Sequence, residues 1–286
     1  MWTEIEIIIN SDNFPEIKIL KDIKSAFNIF YDYQNEFSRF DKNSSLSQIN
    51  KNKSWKVSEI FLEVLELSKE IYKKTNWYFN PLVNIWNIWY SHNFKDYTFI
   101  KTNFEENLNL YEIKIVWNNI YLKPNQNFDF WWIVKWLTVD KVWEFLENKN
   151  YNDYIINAGW DIFSKSKNCL AIDSPENNWD IFALVDIENM ALCTSWTYKR
   201  KWKINWENFH HILNPKKNIN NDEIKSISLI AEKTYIWDAY ATACIAMWIE
   251  KSLVFLKKEK IIWIIIWNDD KIYKMWDLKK YKFEII

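Results

Sequence analysis

Four short stretches hold side chains able to do chemistry. Asp238-Ala239-Tyr240-Ala241-Thr242 lies in a helical pattern, and a spacing of four puts a carboxylate and a hydroxyl on one face. Two hard oxygens so placed suit Mg2+, although an Asp near a helix start is more often a cap than a ligand. His210-His211-Ile212-Leu213-Asn214-Pro215 holds two of the three histidines. An imidazole near its ordinary pKa can serve as a general base, and packing is the bland alternative. No H-E-x-x-H pattern accompanies them to suggest zinc. Thr194-Ser195-Trp196 ends a strand-like run in hydroxyls, a cradle for phosphate oxygens or an ordinary turn cap. With no G-x-S-x-G elbow, Ser195 does not read as a nucleophile. Asp129-Phe130-Trp131-Trp132-Ile133-Val134-Lys135 passes from strand-like residues into a helical pattern carrying Lys. Free N–H groups at such a helix start suit a phosphate or pyrophosphate, and a buried turn is the alternative.

Ordinary elements must position these groups. A strand is expected over 4–9, helices near 15–33, 58–75, 133–148 and 236–258, and strands near 112–123, 154–173, 180–194, 224–232 and 260–286. Helices grouped between hairpin-like strands predict an α+β fold, mainly antiparallel sheets with packed helices. No Gly/Ser linker, charge block or repeat divides the chain, so residues 1–286 read as a single catalytic unit.

The chain has 286 residues, 49% of them hydrophobic, enough to fill a sizeable core. Lys plus Arg number 37 against 38 Asp plus Glu, a net charge of -1 that implies no basic face for nucleic acid. The odd set Cys169, Cys193 and Cys244 contains no C-x-x-C pair and indicates neither a disulfide framework nor a zinc knuckle. No run approaches the roughly 18 apolar residues of a membrane span. With Met1 leading straight into a strand-like run, the expectation is a soluble, cytoplasmic chain.

One imbalance stands out: 20 Trp against 1 Gly. A chain of this length ordinarily holds roughly 20 glycines. The Trp residues fall where glycine belongs. The helix predicted from its Ser58 cap to Thr75 is followed by Asn76-Trp77, where a helix end calls for a left-handed residue. Val116-Trp117-Asn118 and Asn205-Trp206 stand at turns between strand-like runs, and Trp131-Trp132 at a strand-to-helix junction. A stacking platform for sugars would instead place indoles at strand or helix spacing. The pattern predicts that most of these positions are glycine in the natural product, encoded by UGA and written as Trp. Only two Arg, with abundant Lys, Asn and Ile, fit an AT-rich gene.

With Trp read as Gly, further segments fall into order. Met1-Trp2-Thr3 becomes M-G-T, and Ser38-Arg39-Phe40-Asp41 and Ser45-Leu46-Ser47-Gln48-Ile49-Asn50 follow. Thr75-Asn76-Trp77-Tyr78-Phe79-Asn80-Pro81 is similar to T-D-G-x-F-D-P, and Trp86, soon after, matches a genuine Trp. Asp129 to Trp136 is similar to D-x-G-G-I-A-K-G, Asn157-Ala158-Gly159-Trp160-Asp161 to N-A-G-G-D, and Thr194-Ser195-Trp196 to T-S-G. His211 to Pro215 is similar to H-I-x-D-P, and Asp238 to Thr242 to D-A-x-x-T. Together, over nearly the whole chain, these segments resemble the ApbE family of FAD:protein FMN transferases.

The resemblance implies that FAD contacts Met1, Phe40, Tyr78, Phe79, Asn80, Asp129, Lys135, Ser195 and His210. It implies Mg2+ held by Asp238, Thr242 and a backbone oxygen at Trp132. Asn80 and Asn214 stand where the family often has Asp, and Phe40 where it can have Tyr. The implied reaction moves FMN from FAD to a Thr or Ser hydroxyl of an acceptor protein and releases AMP, with His211 as candidate base. Alternatives on the same site are Mg2+-dependent FAD hydrolysis to FMN and AMP, and non-catalytic FAD binding; a literal Trp-rich carbohydrate binder ranks last. Relatives often carry an export signal, so an upstream start would instead place the protein in the periplasm or at a membrane.

Overall fold

The computed structural model describes residues 4–82, 108–159, 161–175, 180–198, 201–204, 207–217, 219–232, 234–269, 271–275, 278 and 281–286. Strand β1 (Ile5–Ile9) opens the chain, followed by helices α1 (Glu16–Phe37) and α2 (Ser45–Asn52), strand β2 (Ser54–Lys56) and helix α3 (Glu59–Lys74). Strands β3 (Lys114–Val116) and β4 (Asn119–Tyr121) lead to helix α4 (Trp131–Asn148). Then come β5 (Tyr154–Ala158), β6 (Ile162–Ser164), β7 (Asn168–Asp173), β8 (Ile181–Ile187), β9 (Met190–Trp196), β10 (Lys201–Ile204), β11 (Glu207–His210) and β12 (Ile224–Ala231). Helices α5 (Thr234–Ala246) and α6 (Ile249–Lys258) precede β13 (Ile262–Trp267), β14 (Ile272–Lys274) and β15 (Glu284–Ile285).

All strand pairs among the described residues are antiparallel. Seven strands form the main sheet in the order β1-β5-β6-β9-β12-β13-β14. Its middle is buried on both faces, which fits the unbroken apolar run of β13 and the near-continuous burial of β12. On one face α5 lies on β9 and β12, beside α4. On the other, Leu192, Ile230 and Ile264 pack against Leu170 and Val185 of the small sheet β15-β8-β7. The site residues at the ends of β9 and α5 are therefore held by a three-layer stack. No helix among the described residues is long and apolar enough to cross a membrane.

The fold is the expected α+β, with several boundaries corrected. The Ser58 cap holds, its hydroxyl accepting from Phe61 N–H, and α3 ends at Lys74. The run read as one helix over 236–258 breaks at Met247–Trp248, where Trp248 takes extended backbone and Glu223 caps the restart by accepting from Ile249 N–H. Runs read as single strands over 112–123, 154–173, 180–194 and 260–286 each fold back on themselves; apart from Gly159 between β5 and β6, the sequence there has no Gly or Pro to mark a turn. The helix α2 was not anticipated. Only eight residues long, it is set by its Ser44 cap and ends at Lys53 with φ 61.

Two tryptophans among the described residues sit in left-handed backbone. Trp117 (φ 56) is the first of the two residues joining β3 to β4, the position a type II′ hairpin gives to glycine. Its ring is 90% exposed, so no packing repays the strain. At the end of α3, Asn76 N–H donates to Lys73 O and Trp77 N–H to Tyr72 O, a Schellman closure, with Asn76 at φ 49 and Trp77 at φ 69. Only Gly159 of these positions is written as glycine, and it too is left-handed, at φ 64. Trp117→Gly should raise stability by roughly 0.5–1 kcal/mol, and Trp117→Ala should not, since only glycine escapes the Cβ clash. The urea midpoint at constant m-value is the measurement, and a lower midpoint for the glycine variant would contradict the strain argument.

Candidate active site

The site grows around the N-terminus of α4. Asn50 of α2 locks the approach, its amide donating to Phe128 O and its oxygen accepting from Phe128 N–H. The next residue, Asp129, caps the helix through Trp131 N–H and accepts from Arg39 Nη1 at 3.0 Å. Its carboxylate is 4% exposed. That geometry makes Asp129 the anchor of the helix start and leaves it behind the wall of the cleft.

One turn into α4, Lys135 donates from Nζ to Asp161 Oδ2 at 3.1 Å, with its ammonium 3.9 Å from the Trp136 ring centre. The second Asp161 oxygen accepts from the Thr194 N–H of β9. Both oxygens face N–H donors, the arrangement of an ionised carboxylate. Burial pushes the Asp161 carboxyl up from its ordinary value, and Lys135 opposes that. In the sequence Asp161 stands only as the last residue of Asn157-Ala158-Gly159-Trp160-Asp161. Its role went unread because its partners Lys135 and Thr194 lie 26 and 33 residues away.

From Thr194 the polar chain continues. Ser195 Oγ donates to Asp238 Oδ1 at 3.2 Å and lies 3.5 Å from Thr242 Oγ1, so the residues spaced four apart on α5 do meet, with a β9 hydroxyl between them. Burial pushes the Asp238 carboxyl up to about 6, against the pull of Lys135 and Ser195. No group of three or more His, Cys, Asp or Glu suited to a metal occurs among the described residues. A cation here would rest on hydroxyl and carbonyl oxygens as well as carboxylate. Trp132 is the second residue of α4, where a carbonyl already points along the helix axis.

A cleft of about 940 Å³ gathers Lys135, Asp161, Ser195, Asp238 and His211 on its walls. That volume is ample for a large cofactor. Trp132 and Trp196 flank His211 with ring centres 5.3 and 5.4 Å away. Beyond Trp132 and His211 a smaller pocket takes in Tyr78, Phe79, Asn80 and Thr242. Phe40 is 42% exposed and lines a separate shallow groove with Arg39, which shares Trp131 and Lys135 with the cleft. Tyr78 is steadied by Lys251, whose Nζ donates to the phenol oxygen at 3.0 Å. The Asn80 amide donates to Leu108 O while its oxygen accepts from Leu82 N–H.

The two histidines part company. His210 is fully buried, its Nδ1 accepting from Ile212 N–H and its Nε2 lying 3.3 Å from Asn221 O, so it pins the loop from inside. His211 faces the cleft. Met1, Trp86 and Trp160 lie outside the described residues.

The chain matches the ApbE family over residues 1–265. The FAD:protein FMN transferase of Buchnera aphidicola subsp. Baizongia pistaciae is 25% identical over 297 residues, covering 96% of this chain and 86% of that one. The solved ApbE protein of Thermotoga maritima aligns with a TM-score of 0.82 at 16% identity, covering 98% of this chain and 96% of that chain. The flavin transferase ApbE of Vibrio cholerae gives 0.77 at 18% identity, with the same coverage. At such identities the two structures speak for the fold.

The raised Asp238 carboxyl fixes a sign. Its folded pKa of about 6 exceeds the unfolded value, so the folded state binds the proton more tightly, and stability falls as pH rises from about 4 to 6. Without metal, Asp238→Asn should be more stable than the parent above pH 6 by roughly 1–3 kcal/mol, the gap closing toward pH 4. Urea unfolding in EDTA across that range measures it, and a pH-independent gap would remove burial of the charge as the cause.

Proposed function

The chain belongs to the ApbE family, and on that premise we propose that residues 1–286 act as one catalytic unit, an FAD:protein FMN transferase like its relatives. FAD is the substrate, and a hydroxyl of an acceptor protein receives the FMN. The observation that carries this reading is the meeting of Lys135, Ser195, Asp238, Thr242 and His211 around one corner of the cleft and the small pocket beside it.

The acceptor Thr or Ser oxygen attacks the FMN-side phosphorus, the phosphorus–oxygen bond to AMP breaks, and AMP leaves with the electron pair. His211, at the cleft wall, takes the hydroxyl proton. Lys135 brings positive charge near the start of α4, whose dipole favours the pyrophosphate oxygens. Ser195 orients the Asp238 carboxylate.

The donor set fits Mg2+: a carboxylate and two hydroxyls, all hard oxygens, at a buried position where an uncompensated carboxylate is disfavoured. Asp238 and Thr242, with a backbone oxygen at Trp132, would hold it. Bound there, it supplies charge neutralisation for the pyrophosphate.

We also propose that most Trp positions are glycine in the natural product. Supporting this are the left-handed Trp77 and Trp117 and the crowding of the cleft by Trp131, Trp132 and Trp196, where close backbone approach to phosphates favours glycine. UGG codons at these positions would end the idea.

Incubated with FAD, Mg2+ and a flavin-acceptor domain, the glycine-decoded protein should give a covalently fluorescent acceptor and one AMP per label. Asp238→Ala should lower the rate at least 100-fold. Release of FMN with no label would favour hydrolysis, and undiminished function in Asp238→Ala would favour a binding protein.

A further inference from the structure

Lys135 has two carboxylates to choose between. It donates to Asp161 at 3.1 Å, and it also acts electrostatically on Asp238 from within the same buried corner. An ammonium that paired with Asp238 would cancel the charge of the residue assigned to the cation and would compete with it for the carboxylate oxygens. Asp161 offers the ammonium another partner. It is 2% exposed, and its position is set from three sides. Its backbone carbonyl accepts from Ala158 N–H at 3.0 Å, closing the turn at Gly159, and its Oδ1 accepts from Thr194 N–H. Its Oδ2 is then left aimed at α4, where Lys135, 14% exposed, meets it.

We propose that Asp161 is a positioning residue that draws Lys135 away from Asp238, keeping the Asp238 carboxylate available to a divalent cation while Lys135 faces the cleft. The inference rests on the metal reading above and deepens it. Through Thr194 the same carboxylate also fixes the strand that presents Ser195 to Asp238. One side chain thus sets both charges of the corner.

The groups facing Lys135 in this corner are Asp161 from the β5–β6 turn, Asp238 from α5 and the Trp136 ring on its own helix. Without the Asp161 charge, Asp238 is the remaining anion among them. Asp161→Asn keeps an oxygen for Thr194 N–H and removes only the charge, so the fold should survive. Lys135 then turns to Asp238.

Mg2+ binding, measured by titration calorimetry on the purified chain without FAD, is the test. Asp161→Asn should weaken Mg2+ about tenfold, the size of a one-unit shift in a competing equilibrium. Adding Lys135→Met to Asp161→Asn should restore Mg2+ affinity to near the parent value, which a merely structural role for Asp161 would not do. Unchanged Mg2+ affinity in the single variant, or a double variant as weak as the single, would overturn the inference. A parent chain with no Mg2+ affinity at all would instead overturn the metal reading beneath it. Should Asp161→Asn unfold, Lys135→Met alone still decides: it should leave Mg2+ binding intact or stronger, and a loss would contradict the competition.

Discussion

The buried contact between Lys135 and Asp161 is the joint on which the site turns. It ties α4 to the β5–β6 turn, and through the Thr194 N–H it ties that turn to β9. From β9 the Ser195 hydroxyl reaches Asp238 on α5. Four elements far apart in sequence are registered by one carboxylate. Such a contact is weak as a source of stability, because desolvating both ions offsets most of their attraction. Its value is directional. Apolar packing between α4, α5 and the sheet would tolerate small slides, and a charged hydrogen bond at 3.1 Å would not.

The rest of the corner is held under tension of a different sort. Asp238 is buried, and its carboxyl is pushed up toward neutrality. Stability alone would favour Asn at that place. Keeping Asp there makes sense where a cation is to be received, and it follows the general rule that sites are built at some cost to the fold. Asp129 shows the opposite case. Its charge is fully answered by Arg39 and the helix start, and it serves as architecture.

Local signals were legible in the sequence and long-range ones were not. The Ser58 cap, the apolar stripe of α3 and the four-residue spacing of Asp238 and Thr242 are properties of neighbours along a helix, and each reappears in three dimensions. So does the antiparallel character, which short hairpin-like runs express directly. Asp161 was hidden because its meaning lies in partners brought together only by the sheet. The histidine pair could not be divided by composition; adjacent residues at a strand end point to opposite sides, so one enters the core and one the cleft. The β3–β4 turn was obscured for a chemical reason: an indole, Trp117, stands at the left-handed position where glycine normally announces a turn.

Gly159 is the one position of the chain written as glycine, and its place matters. It is left-handed at φ 64 in the turn that presents Asp161, and it is written as glycine outright. On the UGA reading, its identity does not depend on which tRNA meets the codon. Lys135, Asp161 and Gly159 are the same residues under either genetic code, while the walls beside His211 are not, since Trp132 and Trp196 narrow the cleft there only when indoles are delivered. A host with the other code would keep the anchors of the site and narrow its interior beside His211. The tRNA pool would then set the shape of the cavity beside His211, a form of genetic isolation written into the protein's architecture.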